Sequence, residues 1–225
     1  MHPWIEHVHL ALIPLANEKD AKYMKAYLRG QFEFYGIKSG PRREALKPLF
    51  SKKRFPGAVE IPELVDELWS KPQREYQMVA VDMLIKSKTQ LPVEVLSSVE
   101  RWITTKSWWD TVDMLATHVV GSLFNRYPEQ TAQYISKWRR SENIWLRRTA
   151  LLYQLKYKTD TDVEMLSAII LENRSDSEFF IQKAIGWMLR EYSKTDANWV
   201  VSFIEQHSIE GLAKREGLKW LHRKG

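Results

Sequence analysis

The residue whose type and position ask for a chemical explanation is a single carboxylate, Asp113. It shares a helical stripe with Trp109, Val112, Ala116, Val120 and Leu123 at three-and-four spacing. Aspartate is a poor helix-interior residue because its side chain competes for nearby backbone groups. Burying it without a partner is costly. The stripe therefore calls for a cation, a cap-like hydrogen bond or a groove open to solvent. A structural tie to an arginine of a neighbouring repeat would answer the same need. Trp109 lies one turn before Asp113, so an indole and a carboxylate share one face. Arg148 stands among Trp145, Leu152 and Leu155. A guanidinium in that setting suits an anion, either Asp113 or a phosphate. Trp187 and Arg190 lie on a further helix and could face the same groove, although Arg190 also fits a solvated side chain. Tyr27 is ambiguous, because helical aromatics usually pack in a core. The same holds for any one indole in a chain with 10 tryptophans.

Other chemistries lack their residues. His7 and His9 are two apart and do not share a helical face, and His2 stands further upstream. No His-Glu-x-x-His, phosphate-binding glycine loop or nucleophile elbow occurs, so neither a metal nor a nucleotide cofactor is expected. There is no cysteine, which excludes a disulfide framework and thiolate metal sites. The formal charge of +6 suits a polyanionic partner, and also an ordinary basic surface. No apolar run approaches the ~20 residues of a membrane-spanning helix. The first residues, Met1-His-Pro-Trp-Ile-Glu-His, do not read as a signal peptide. A cytoplasmic protein is expected.

These residues must be positioned by helices, because strand and hairpin signals are almost absent. Prolines 41, 62, 72, 92 and 128 stand where helices would begin. Later starts read as capping boxes, Thr161-x-x-Glu164 and Ser175-x-x-Glu178. The pattern predicts roughly twelve short helices with brief connections. Five segments align, beginning at Tyr76, Trp108, Trp145, Phe180 and Ala213, with starts 32, 37, 35 and 33 residues apart. Their fifth column is small or short: Ala80, Val112, Thr149, Ala184 and Gly217. Their sixth reads Val81, Asp113, Ala150, Ile185 and Leu218, with the carboxylate as the exception. Partner helices fall at Pro92–Thr104, Thr131–Arg139 and Asp162–Asn173. A two-helix unit of this length predicts an all-α, HEAT-like helical repeat solenoid spanning 1–225 as one domain. The second helix of each unit would line a concave face, the default binding surface. An accessible concave face favours a monomer.

With this register in place, Thr105-Lys-Ser-Trp-Trp-Asp-Thr-Val-Asp113, Asn143-Ile-Trp-Leu-Arg-Arg148, Leu155-Lys-Tyr-Lys and Phe179-Phe-Ile-Gln-Lys-Ala-Ile-Gly-Trp187-x-Leu-Arg190-Glu-Tyr resemble the AlkD-type bacterial DNA alkylation repair enzymes, which are HEAT-like-repeat glycosylases. The resemblance runs from about residue 20 to the C-terminus. It implies hydrolysis of the N-glycosidic bond of cationic N3- and N7-alkylpurines in double-stranded DNA, without a cofactor. It implies that Asp113 is the catalytic carboxylate, that Trp109 and Trp187 flank the lesion nucleotide, and that Arg148 contacts the DNA backbone. It places Tyr27 and Arg190 near the DNA. Two other readings of the residues are a non-catalytic module for distorted DNA and a scaffold whose tryptophans anchor a protein partner.

Overall fold

The computed structural model describes residues 2–223, and they group into two compact units, Met1–Val95 and Leu96–Gly225. The fold is all-helical. Among the described residues the only β contact is an isolated bridge between Glu33 and Gln73. Among the described residues no helix is long and apolar enough to cross a membrane.

The first unit holds α1 (Pro3–Leu12), α2 (Glu18–Tyr27), α3 (Ser39–Leu46), α4 (Ile61–Ser70) and α5 (Arg74–Ser87). Its three sequence-flagged histidines serve the fold. His2 caps α1 by accepting from the Trp4 N–H, the His7 ring meets the Pro3 carbonyl, and the His9 ring bonds the Tyr76 hydroxyl. A buried carboxylate, Glu75, accepts the backbone N–H groups of Tyr35, Gly36 and Ile37, tying the chain before α3 onto α5.

The second unit is built from α6 (Val95–Thr104), α7 (Trp109–Met114), α8 (Gly121–Arg126), α9 (Pro128–Trp138), α10 (Ile144–Leu152), α11 (Val163–Asn173), α12 (Phe179–Tyr192), α13 (Ala197–Gln206) and α14 (Gly211–Leu218). A π-helical turn, Leu115–Val120, joins α7 to α8 as one continuous helix. In this unit α7 and its π turn pack on α10, α10 on α12, and α12 on α14, forming an inner row. Helices α6, α9, α11 and α13 form an outer row linked by polar contacts. Glu100 holds Lys137 and the Trp138 indole, Glu172 holds Arg139 and Arg140, and Arg174 donates to the His207 carbonyl.

The aligned columns explain this packing. Val112, Thr149, Ala184 and Gly217 of the small column are all buried in this unit, as is Ala80 in the first. Small side chains there let neighbouring backbones approach. Gly121, just after the π turn, meets the same need, since a Cβ on that residue would lie 2.5 Å from the Tyr153 carbonyl oxygen.

Several expected helix starts move. Pro62 and Pro128 stand in first turns, whereas Pro72 and Pro92 precede their helices. Neither capping box forms. Asp162, not Thr161, caps α11 by accepting the Met165 N–H, and Thr161 donates to the Lys158 carbonyl instead. At α12 the cap position is Glu178 rather than Ser175, and Asp176 accepts the Glu178 N–H. In both cases a neighbouring carboxylate, a stronger acceptor than a hydroxyl, takes the backbone donor.

Candidate active site

Each side chain of the site owes its place to a local feature of its helix. An extended Trp108 lets α7 begin at Trp109, which puts Trp109 and Asp113 one turn apart on its pocket-facing side. The π turn that follows leaves the Asp113 carbonyl accepting the Thr117 hydroxyl at 2.7 Å. Such turns often occur where a helix presents functional groups. Asn143 caps α10 through the Trp145 N–H, fixing the turn that carries Arg148. On α12, Phe180, Lys183, Trp187 and Arg190 repeat at three-and-four spacing and so share one face.

These helices enclose a pocket of about 380 Å³ lined by Trp109 and Asp113 of α7, Arg148 of α10, Phe179, Phe180, Lys183, Trp187 and Arg190 of α12, and Glu216 of α14. At its base Arg148 grips Asp113 in a two-pronged pair. Nε reaches Oδ1 at 2.7 Å and Nη2 reaches Oδ2 at 2.8 Å. The third nitrogen, Nη1, donates to the Phe180 carbonyl. Arg148 is 5% exposed and Asp113 is 9% exposed. Trp108, Trp145 and Phe180 form an aromatic cluster beside the pair, with centroid separations of 5.0–5.8 Å. Burial pushes the Asp113 carboxyl above the usual aspartate range, and Asp110 adds to this, while the hydrogen bonds and charge of Arg148 oppose them. A guanidinium never gives up its proton at neutral pH, so Arg148 is a permanent positive charge that favours the ionised form of Asp113 against its burial.

A second carboxylate stands on the α14 side. Glu216 Oε2 accepts from Arg190 at 2.9 Å, and Oε1 lies 3.2 Å from Lys183 and 3.8 Å from Lys219. Burial pushes the Glu216 carboxyl up, but Lys183, Lys219 and Arg190 outweigh it and hold it below the usual glutamate range.

The sequence profile of the family described as DNA alkylation repair enzyme matches residues 8–221. The chain belongs to the DNA alkylation repair enzyme family. A solved structure described as a predicted DNA alkylation repair enzyme from Enterococcus faecalis is 33% identical to it. The two superpose with a TM-score of 0.84, over 92% of this chain and 96% of that one. A comparison with curated proteins finds no match. The all-helical fold is thus the repeat fold of this family, and a role in the repair of alkylated DNA goes with it.

In this DNA alkylation repair enzyme, Trp109, Asp113, Arg148, Trp187 and Arg190 come together in one pocket. Tyr27 does not line it. It lies at the end of α2 in the first unit and is 64% exposed, not a core aromatic. Of the two partners left open for Arg148, the guanidinium holds Asp113. Sequence reasoning missed Lys183, Glu216 and the Phe179–Phe180 wall. The spacing of Lys183 with Trp187 and Arg190 was an available signal. Glu216 had none, because it reads as an ordinary charge on a polar helix.

Proposed function

We propose that the protein is a monofunctional DNA glycosylase that removes cationic N3- and N7-alkylated purines from duplex DNA. The observation that carries this reading is the two-pronged grip of Arg148 on the Asp113 carboxyl, in a pocket lined also by Trp109 and Trp187. An alkylated purine of this kind already bears positive charge and leaves without a protonating acid. Its departure puts oxocarbenium character on the deoxyribose, as in glycoside hydrolysis. Each Asp113 oxygen uses one lone pair on Arg148 and keeps another. One can stabilise the sugar cation while the other orients the attacking water. At a preorganised site such a charge is worth about 2.7–4 kcal/mol of barrier, or ~10²–10³ in rate.

The indoles suit the same transition state, since their faces attract a cation and stack on sugar and base edges. Arg148 is chiefly the positioning residue for Asp113, with a peripheral DNA contact second, because its three nitrogens already have protein partners. Arg190 and Tyr27 complete the DNA contacts in this reading. No cofactor enters the scheme, and the reading takes the protein as a monomer.

The test is single-turnover excision of 7-methylguanine from duplex DNA by wild type and Asp113→Asn. Excision by wild type and a fall of ~10²–10³ in the variant are expected. Equal rates would refute the role of Asp113. Duplex binding with no abasic product would make the protein a non-catalytic binder of damaged DNA. Failure to bind duplex even at low salt would leave a protein scaffold.

A further inference from the structure

The pocket has a second carboxylate that the proposed reaction does not use. Glu216 is 13% exposed at its side chain and gathers Lys183, Arg190 and Lys219. A single carboxylate among three cations leaves a local excess of positive charge. Arg190 spends only Nη1 on Glu216, and its Nε and Nη2 have no protein partner among the described residues. The Lys183 ammonium likewise has donors to spare. Arg148 contrasts with both, because Asp113 and Phe180 engage all three of its nitrogens.

The backbone is shaped to bring this carboxylate in. A Cβ on Gly186 would lie 2.6 Å from Glu216 Cβ and 2.9 Å from the Ala213 carbonyl oxygen. Only glycine at position 186, just before Trp187, lets α14 approach α12 closely enough for Glu216 to reach the pocket wall. A charge tolerated on an exposed helix face would need no such approach.

Building on the glycosylase reading, we infer that Glu216 is a positioning residue that holds Lys183 and Arg190 as a two-cation seat for a DNA phosphodiester, on the pocket wall formed by α12 and α14. Two long basic side chains lose considerable rotamer freedom when they bind an anion. Glu216 restricts them beforehand, so less freedom is lost when the phosphate arrives. The seat fixes the backbone of the lesion nucleotide while Asp113 acts on its sugar.

The test reads binding separately from excision. Duplexes with and without a tetrahydrofuran abasic analogue are titrated by fluorescence anisotropy over a series of KCl concentrations. The proteins are wild type, Lys183→Gln, Arg190→Gln, Glu216→Gln and Glu216→Asp. Each cation variant is expected to lower the slope of log affinity against log salt by about 1. Glu216→Gln keeps both cations, so its slope is maintained. Its preference for the abasic duplex over the intact one falls about fivefold or more, as preorganisation is lost. Glu216→Asp restores part of that preference. A folding defect would reduce the active fraction for both duplexes equally and leave their ratio unchanged.

Wild-type slopes in both cation variants would overturn the seat, and a wild-type ratio in Glu216→Gln would overturn the positioning role. Should Glu216→Gln fail to fold, Gly186→Ala, which displaces Glu216 without removing it, replaces it with the same expected loss of ratio. Wild-type binding without excision would refute the glycosylase reading and leave the seat standing. Absence of duplex binding would remove both.

Discussion

Replacing Arg148 separates two roles that its charge could play. In the structure it is a buried two-pronged partner of Asp113 at 2.7 and 2.8 Å, with a further tie to the Phe180 carbonyl. Arg148→Ala would leave the carboxylate buried and uncompensated. Breaking a buried pair in this way costs about 3–5 kcal/mol of stability. For a domain of this size that is a fall in Tm of roughly 6–20 °C. With the opposing guanidinium gone, burial and the charge of Asp110 would act on Asp113 unopposed and drive its carboxyl further upward. Loss of the fork and the upward drive on the carboxyl both weaken the electrostatic role of Asp113, so the chemical step should slow toward the Asp113→Asn rate, by up to ~10²–10³. Arg148→Lys should fall between, because a lysine keeps the charge but cannot reproduce the fork.

Single-turnover rates at saturating enzyme, measured below the melting point of each variant, isolate the chemical step from binding. The double variant Arg148→Ala/Asp113→Asn should be no slower than the worse single one, since both changes disable the same unit. A different result would refute this reasoning. If Arg148→Ala kept the wild-type single-turnover rate and lost only affinity, with a salt slope lower by about 1, Arg148 would be a phosphate contact and not the holder of Asp113.

The remaining predictions concern pH, the indoles and the glycine. In the proposed reaction activity requires ionised Asp113, whose folded-state carboxyl is raised by burial, so the acid limb of the rate profile should lie above the ordinary aspartate range. The same sign makes folding favour the protonated form, so Asp113 itself contributes less to stability as pH rises through that window. Glu216 is the opposite case, with its carboxyl held low. Its contribution is present above the ordinary glutamate range and lost as pH falls through the lowered folded value, which thermal melts of wild type and Glu216→Gln across acid pH would reveal. Trp109→Ala and Trp187→Ala should each slow excision by roughly 5–150-fold, equivalent to about 1–3 kcal/mol of stacking, and phenylalanine should recover part of it. Gly186→Ala would place a Cβ 2.6 Å from Glu216 Cβ and should cost about 1–3 kcal/mol in denaturant unfolding.

Much of this site was legible because repeats supply their own control. Four apolar residues at the equivalent position made Asp113 conspicuous, and three-and-four spacing then attached Trp109 to its face. Arg148 was legible as a cation in apolar company, and the choice between Asp113 and phosphate needed coordinates. The π turn left no mark, since it changes the hydrogen-bond register without requiring a particular residue type. The caps of α11 and α12 were misassigned because Thr161 and Ser175 matched a pattern in which a nearby aspartate was the stronger acceptor. Glu216 was invisible because its burial depends on a glycine in another helix.

The two carboxylates show how one pocket can use similar groups differently. Asp113 meets one guanidinium that takes an oxygen with each of two nitrogens, and the pair is nearly sealed from water. Net charge there is close to zero, so what the pair offers an incoming ligand is a fixed direction of negative potential toward a developing cation. Glu216 meets three cations, two of which retain free donors, so its surroundings remain positive despite its own charge. A deoxyribose with oxocarbenium character flanked by phosphodiesters has the complementary pattern, a cation between anions. A pocket of uniform sign would stabilise one part of that pattern and repel the other. In the proposed reaction, an anion-presenting pair at the base and an anion-accepting seat on the wall would act together, so the rate should depend on the spacing of α7, α10, α12 and α14.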